Sequence, residues 1–236
     1  MTTPTWPGVP DTRRLGDNDR VTTTYDCTSD VGRAEGLVAA ADALADGLLV
    51  VLATDTVYGI ATDAFDPDAV AALLAAKGRD RTSPPPVLIG AVAALDGLAA
   101  DVPQAGRDLA AEFWPGALTL VCSEQPSLRW DLGDTFGTVA LRMPDHPLTL
   151  DLLTRTGPLA VSSANRTGQP PATTAQAAVE QLGDAVAVCL DAGPTPDAVP
   201  SSIVDITGDR PVLLREGALS WADLWRIAPD LATPEP

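Results

Sequence analysis

"LLVVLATDTVYGIATDAFDPDAVAALLAAKG" spans residues 48–78, and its parts set the fold class. The run at 48–53 is short, apolar and rich in Val and Leu, the pattern of a strand buried on both faces. "DPDAVAALLAAKG" (66–78) is a helix with its punctuation in place: Asp66 to cap it, Pro67 at the first helical position and Gly78 just past the end. Between them lies the hydroxyl-rich "TDTVYG". A buried strand leading through a loop into a helix is a building unit of α/β proteins.

The same alternation continues in both directions. "GRAEGLVAAADALADG" (32–47) reads as a helix, and others are expected to begin near Pro103, Pro147 and Thr174, with a last one at "SWADLWRI" (220–227). Further strand candidates are "VLIGAV", "ALTLVC", "TVALRM", "PLAVSS", "AVAVCL", "SSIVDI" and "PVLLRE". The expectation is an α/β (α+β) single domain over 21–228, a twisted mixed sheet of about seven strands flanked by helices. Residues 1–20 read as a disordered N-terminal extension and 229–236 as a flexible tail.

Composition narrows the function classes. The chain has 236 residues, is 45% hydrophobic with only 4% aromatics, and so must build its core from Ala, Val, Leu and Ile. A net charge of −17 opposes a general nucleic-acid-binding surface, because such binding rests on neutralising phosphates. Any anionic ligand must be held by a local cluster of cations. Cys27, Cys122 and Cys189 are odd in number and widely spaced, which favours a reducing cytoplasm over a disulfide scaffold. No stretch reaches membrane-spanning length, and the first 20 residues lack the apolar core of a signal peptide.

The only histidine, His146 in "RMPDHPL", reads as a surface or capping residue, and a serine triad or histidine zinc site is unsupported. There is neither GxGxxG nor GxxxxGK[ST]. Chemistry must then rest on positioning and charge stabilisation. Lys77 is the one lysine beside 14 arginines. A helix C-terminal cation would account for it, but arginine serves that purpose equally. A compact ammonium suits a site where a planar fork does not fit. "KGRDR" adds Arg79 and Arg81, followed by the stiff "SPPP". Arg142 in "VALRMP" and Arg215 in "VLLREG" each end a buried strand, where a charge demands a partner. "ATDTVYGIA" and "VSSANRTGQPP" offer hydroxyls that fit either turns or ligand contacts. Trp114 in "FWPGALTLV" reads as core.

Taken together, "TDTVYG", "KGR", "FWPGALTLV", "TVALRMPDHP", "SSANRTG", "PSSIVDI" and "LLREG" resemble the YrdC family of threonylcarbamoyl-AMP synthases, in family order from about Val31 to Ser220. The likeness is to its short, single-domain type. The resemblance implies a large concave cavity and synthesis of threonylcarbamoyl-AMP from L-threonine, bicarbonate and ATP, with release of pyrophosphate. Mg²⁺ would arrive on the triphosphate, and the product would pass to tRNA threonylcarbamoyltransferase proteins. It implies catalytic roles for Lys77, Arg79, Ser163 and Asn165, and ATP contacts from these four with Thr119 and Arg215. Threonine would be held by Thr56, Arg142 and Ser201. The stretch Asp80–Gly90 departs from the family pattern, which leaves Arg81 a candidate for part of the role of Arg79. Competing readings are an RNA-binding or ribosome-maturation module, disfavoured by the acidity, and a carbamoyl-transfer domain of hydrogenase-maturation type. The acidity also implies no stable tRNA binding by the chain alone.

Overall fold

A computed structural model describes residues 21–196 and 199–233. The strands are β1 (Thr23–Asp26), β2 (Leu49–Leu52), β3 (Gly59–Asp63), β4 (Val87–Leu88), β5 (Ala99–Ala100) and β6 (Leu118–Glu124). They continue with β7 (Thr138–Arg142), β8 (Leu159–Ser163), β9 (Val186–Asp191), β10 (Ser202–Asp205) and β11 (Val212–Arg215). The helices are α1 (Asp30–Ala45), α2 (Pro67–Ala76), α3 (Ala94–Leu98), α4 (Gln104–Phe113), α5 (Pro147–Thr156), α6 (Ala175–Leu182) and α7 (Trp221–Ile227).

All the strands join one mixed sheet in the order β1-β9-β2-β3-β8-β4-β7-β6-β10-β11, with β5 also on β6. The class is as expected, but the sheet has 11 strands rather than about seven. The additions are strands without an apolar run. β1, "TTYD", is an edge strand with little buried side-chain surface. β3, "GIATD", is buried yet made largely of Gly, Ala and Thr. β5 has only two residues.

The helix starts follow their side chains. Asp66 Oδ1 accepts from the amides of Asp68 and Ala69, and Gly78 turns the chain away at φ +67°. Ser29, not recognised as a cap from sequence, accepts from Gly32 and starts α1 two residues earlier than expected. Ser220 and Asp223 form a reciprocal capping box on α7.

Part of the segment expected as a flexible tail is packed instead. Leu231 is buried, and Ala232 exchanges backbone hydrogen bonds with Pro211 and Leu213 beside β11. The apolar side chain at 231 outweighs the Pro-rich composition around it. Residues 1–20 and 234–236 lie outside the described residues. No helix among the described residues is long and apolar enough to cross a membrane. All three cysteines are free and buried, and burial pushes Cys27 up to about 11 and Cys122 and Cys189 up to about 12.

Candidate active site

The loop 53–58 connects β2 to β3 and ties itself together through hydroxyls. Thr54 Oγ1 donates to the Val57 carbonyl at 2.6 Å and so must accept from Thr56 Oγ1, 3.0 Å away. Thr56 in turn accepts from Arg142 Nη1 at 3.0 Å. Tyr58 is fully buried with its hydroxyl on the Gly193 carbonyl at 2.6 Å, which makes it a packing residue.

Arg142, at the end of β7, is 7% exposed and is fixed from three directions. Nε donates to the Gly116 carbonyl at 3.0 Å, Nη1 to Thr56 and Nη2 to Asp55 Oδ1 at 2.6 Å. Gly116 can stand there only as glycine, since a Cβ would meet the Phe113 carbonyl oxygen at 2.6 Å. Burial lowers the Arg142 guanidinium from its usual value and the Asp55 carboxylate opposes this. Of five N–H donors three are engaged, leaving one on each terminal nitrogen among the described residues. Two such donors match one carboxylate.

Arg215 ends β11 and reaches Ser201, just before β10. Its Nε and Nη2 donate to the Ser201 carbonyl at 3.1 and 2.7 Å, and Ser201 Oγ lies 2.8 Å from Thr119 Oγ1 on β6. Partial desolvation and then the like charge of Arg142 lower the Arg215 guanidinium. Arg79 leaves α2 and is held by Thr167 and Ser162, each at 3.3 Å. Arg79, Arg142 and Arg215, with Thr56, Thr119, Ser163 and Ser201, line one cavity of about 480 Å³.

The remaining two residues expected here, Lys77 and Asn165, are not on its wall. Lys77 is 1% exposed, and its ammonium donates to the main-chain carbonyls of Ser163 and, at 2.7 Å, of Asn165. Burial and then the Arg79 charge pull this ammonium down to about 8. Lys77 caps the end of α2, but its ammonium turns away to grip the end of β8 and the loop that follows. Asn165 donates from Nδ2 to the carbonyls of Arg166 and Gln169, while its Oδ1 is buried with no partner among the described residues.

Arg81 is not among the residues lining the cavity. It forms a two-pronged ion pair with Asp131, both contacts at 2.9 Å, and lies 3.4 Å from Asp134. Ser201, grouped with Thr56 and Arg142 by resemblance, bonds to Thr119 and Arg215. Two residues of the segments singled out from sequence were given no role there. Ser162, rather than Ser163, meets Arg79, and Asp55 meets Arg142. An acid flanked by two threonines was the only signal for the second. His146 precedes α5 without capping it; its Nδ1 is buried and unpartnered among the described residues, and burial lowers its proton affinity. No group of three or more His, Cys, Asp or Glu among the described residues is arranged to hold a metal ion.

Known proteins resemble this chain in sequence and in fold. A Mycobacterium tuberculosis protein provisionally named a threonylcarbamoyl-AMP synthase is 54% identical over 200 residues, 85% of this chain and 92% of its own. The Bacillus subtilis threonylcarbamoyl-AMP synthase is 37% identical over 198 residues, 83% of this chain and 57% of its own. The crystal structure of Pyrococcus abyssi Sua5 complexed with L-threonine superposes with a TM-score of 0.85 at 32% identity, over 90% of this chain and 63% of that one. The Sua5/YciO/YrdC family model, described as "Telomere recombination", matches residues 42–217. The chain belongs to the Sua5/YciO/YrdC family.

Proposed function

We infer that this chain is a threonylcarbamoyl-AMP synthase, joining L-threonine, bicarbonate and ATP with release of pyrophosphate. The observation that carries the reading is the meeting of Arg79, Arg142 and Arg215 on one cavity, each tethered on one side by hydroxyls or carbonyls. Three guanidiniums on a wall whose lining holds no acidic residue, with Asp55 paired to Arg142 beside it, suit a set of anionic substrates. The amine of threonine adds to bicarbonate, giving a carbamate and water. A carbamate oxygen then attacks the α-phosphate of ATP and pyrophosphate leaves.

In this reading Arg142 takes the carboxylate of threonine through its two open donors, and Thr56 holds the guanidinium in place. Arg79 with Ser162, and Arg215 with Ser201 and Thr119, face the nucleotide and neutralise charge as the phosphate is attacked. Lys77 and Asn165 hold the end of β8, with Ser162 and Ser163, and the loop after it, so that Arg79 meets them in one geometry. Mg²⁺ enters with the triphosphate as part of the substrate. The product goes to tRNA threonylcarbamoyltransferase proteins, and the cytoplasm is the fitting compartment.

The test is pyrophosphate release measured with each substrate omitted in turn. Turnover should need ATP, bicarbonate and L-threonine together. Undiminished turnover without threonine excludes the assignment. L-Serine should be used less well, by roughly 10- to 100-fold, since one methyl group allows only limited discrimination.

A further inference from the structure

Asp55 is oddly placed for a cavity that receives anions. It is not itself a lining residue but sits between Thr54 and Thr56, which are, with Oδ1 on the lining residue Arg142 through Nη2. Its side chain keeps 17% exposure, and Oδ2 accepts no hydrogen bond from any described residue. A site for a plain carboxylate gains nothing from it, because it cancels one of three cationic charges and repels the ligand. Nor is it the sole anchor of Arg142, which the Gly116 carbonyl and the Thr56 hydroxyl already fix through Nε and Nη1.

A zwitterion reverses the balance. In an α-amino acid the ammonium is attached to the carbon next to the carboxylate. With that carboxylate on the two open donors of Arg142, the ammonium is carried towards an acid bonded to the same guanidinium. We propose that Asp55 is the amine-binding residue of the threonine site, with Oδ2 receiving the substrate's α-ammonium. Arg142 and Asp55 then read the two ends of one zwitterion, and Asp55 selects α-amino acids over α-hydroxy acids.

This rests on the function proposed above and adds a residue to its chemistry. The ammonium gives one proton to solvent, and the nitrogen lone pair adds to the bicarbonate carbon. Water leaves, so that R–NH₂ and HCO₃⁻ become R–NH–COO⁻ and H₂O. The remaining N–H still donates to Asp55, while repulsion between the two carboxylates turns the new one away from it.

The experiment compares, by titration calorimetry on the full chain, L-threonine with the 2,3-dihydroxybutanoate of matching configuration, which lacks only the amine. Wild-type protein should bind threonine about 10- to 100-fold more tightly, the range for a hydrogen bond to a charged partner. Asp55→Asn should lose that factor for threonine and keep or improve its hold on the hydroxy acid. Equal binding of both ligands by wild-type protein, or parallel loss of both in Asp55→Asn, overturns the assignment and leaves the threonine site standing. Absence of threonine binding in wild-type protein overturns both. The wild-type comparison decides the matter even if the variant does not fold.

Discussion

Lys77 Nζ donates to the carbonyl of Asn165 at 2.7 Å across 88 positions of sequence, from a side chain that is 1% exposed. The ammonium is thus a tie between the end of α2 and the loop after β8. Lys77→Arg keeps the charge but forces a larger planar group into a filled site, where overpacking costs about 1–3 kcal/mol. Lys77→Met leaves two carbonyls without their donor, at about 1–3 kcal/mol each where they stay buried. Both variants should melt several degrees lower and lose threonine-dependent pyrophosphate release by about 10²-fold. Wild-type melting and turnover in Lys77→Arg would show that the tie is dispensable.

The same ammonium predicts opposite trends for activity and stability in alkali. Its folded value is about 8 against the usual 10.5 of a lysine, so the unfolded chain binds more protons between those limits. The Lys77 contribution to stability therefore rises with pH from about 8 upward. A neutral amine still has two donors for its two carbonyls, so the loop keeps its tie. What is lost is positive charge beside the nucleotide site, and kcat/KM for ATP should fall with an apparent pKa near 8. The comparison is wild type minus Lys77→Met, in both melting and kcat/KM, across pH 7–10. A fall in both together contradicts the tie as described.

Gly116 reports on the Arg142 end of the cavity, where the proposed function puts threonine. Its amide donates to the Met143 carbonyl at 2.8 Å, and its own carbonyl holds Arg142 Nε at 3.0 Å. Gly116→Ala places a methyl against the Phe113 carbonyl and must shift that anchor. KM for threonine should rise about tenfold, with KM for ATP less affected. Gly97→Ala, in α3 with open space around the added methyl, is the control and should be neutral or slightly stabilising. Equal effects on both substrates would mean that the shift does not stay local.

Much of this site could be read from residues alone, and the exceptions share a cause. Arg142 and Arg215 were singled out because a charge ending a buried strand needs a partner, and both reach the cavity. The Asp66, Pro67 and Gly78 signals placed α2 correctly. What local pattern could not supply was direction. Whether Lys77 points into the cavity or across to the β8 loop depends on how α2 packs beneath the sheet. Ser162 and Ser163 alternate along β8, so only the pairing of β8 with β3 decides which hydroxyl Arg79 meets. β1 and β5 were missed because their partners, not their composition, make them strands.

The Arg81 ion pairs lie outside the cavity yet bear on it. Arg81 carries its own carbonyl to the Asp134 amide at 2.7 Å, so side chain and backbone both fasten the segment after Arg79 to residues 131–134. All three side chains are more than 40% exposed, and exposed pairs add little to stability. Asp131→Asn should therefore melt like wild type while KM for ATP rises several-fold through a looser Arg79. Added salt should raise KM in the wild type towards that of the variant. An unchanged KM for ATP separates this fastening from the function of Arg79.

The last expectation concerns RNA. With a net charge of −17, the surface as a whole repels a polyanion, and three guanidiniums, those of Arg79, Arg142 and Arg215, are gathered in a cavity. Contacts to tRNA would have to come from few cations, and the salt dependence of binding measures how many, with log K falling by about 0.7–0.9 per phosphate neutralised as log salt rises. Filter binding of the isolated chain to tRNA should give a slope shallower than about −3 and an affinity weaker than about 10⁻⁵ M at physiological salt. Transfer of the threonylcarbamoyl group to tRNA should accordingly require added partner proteins. Submicromolar binding with a steep salt slope would place an RNA-binding role ahead of this reading, and removing Arg215 or Arg79 would then weaken tRNA and ATP binding alike.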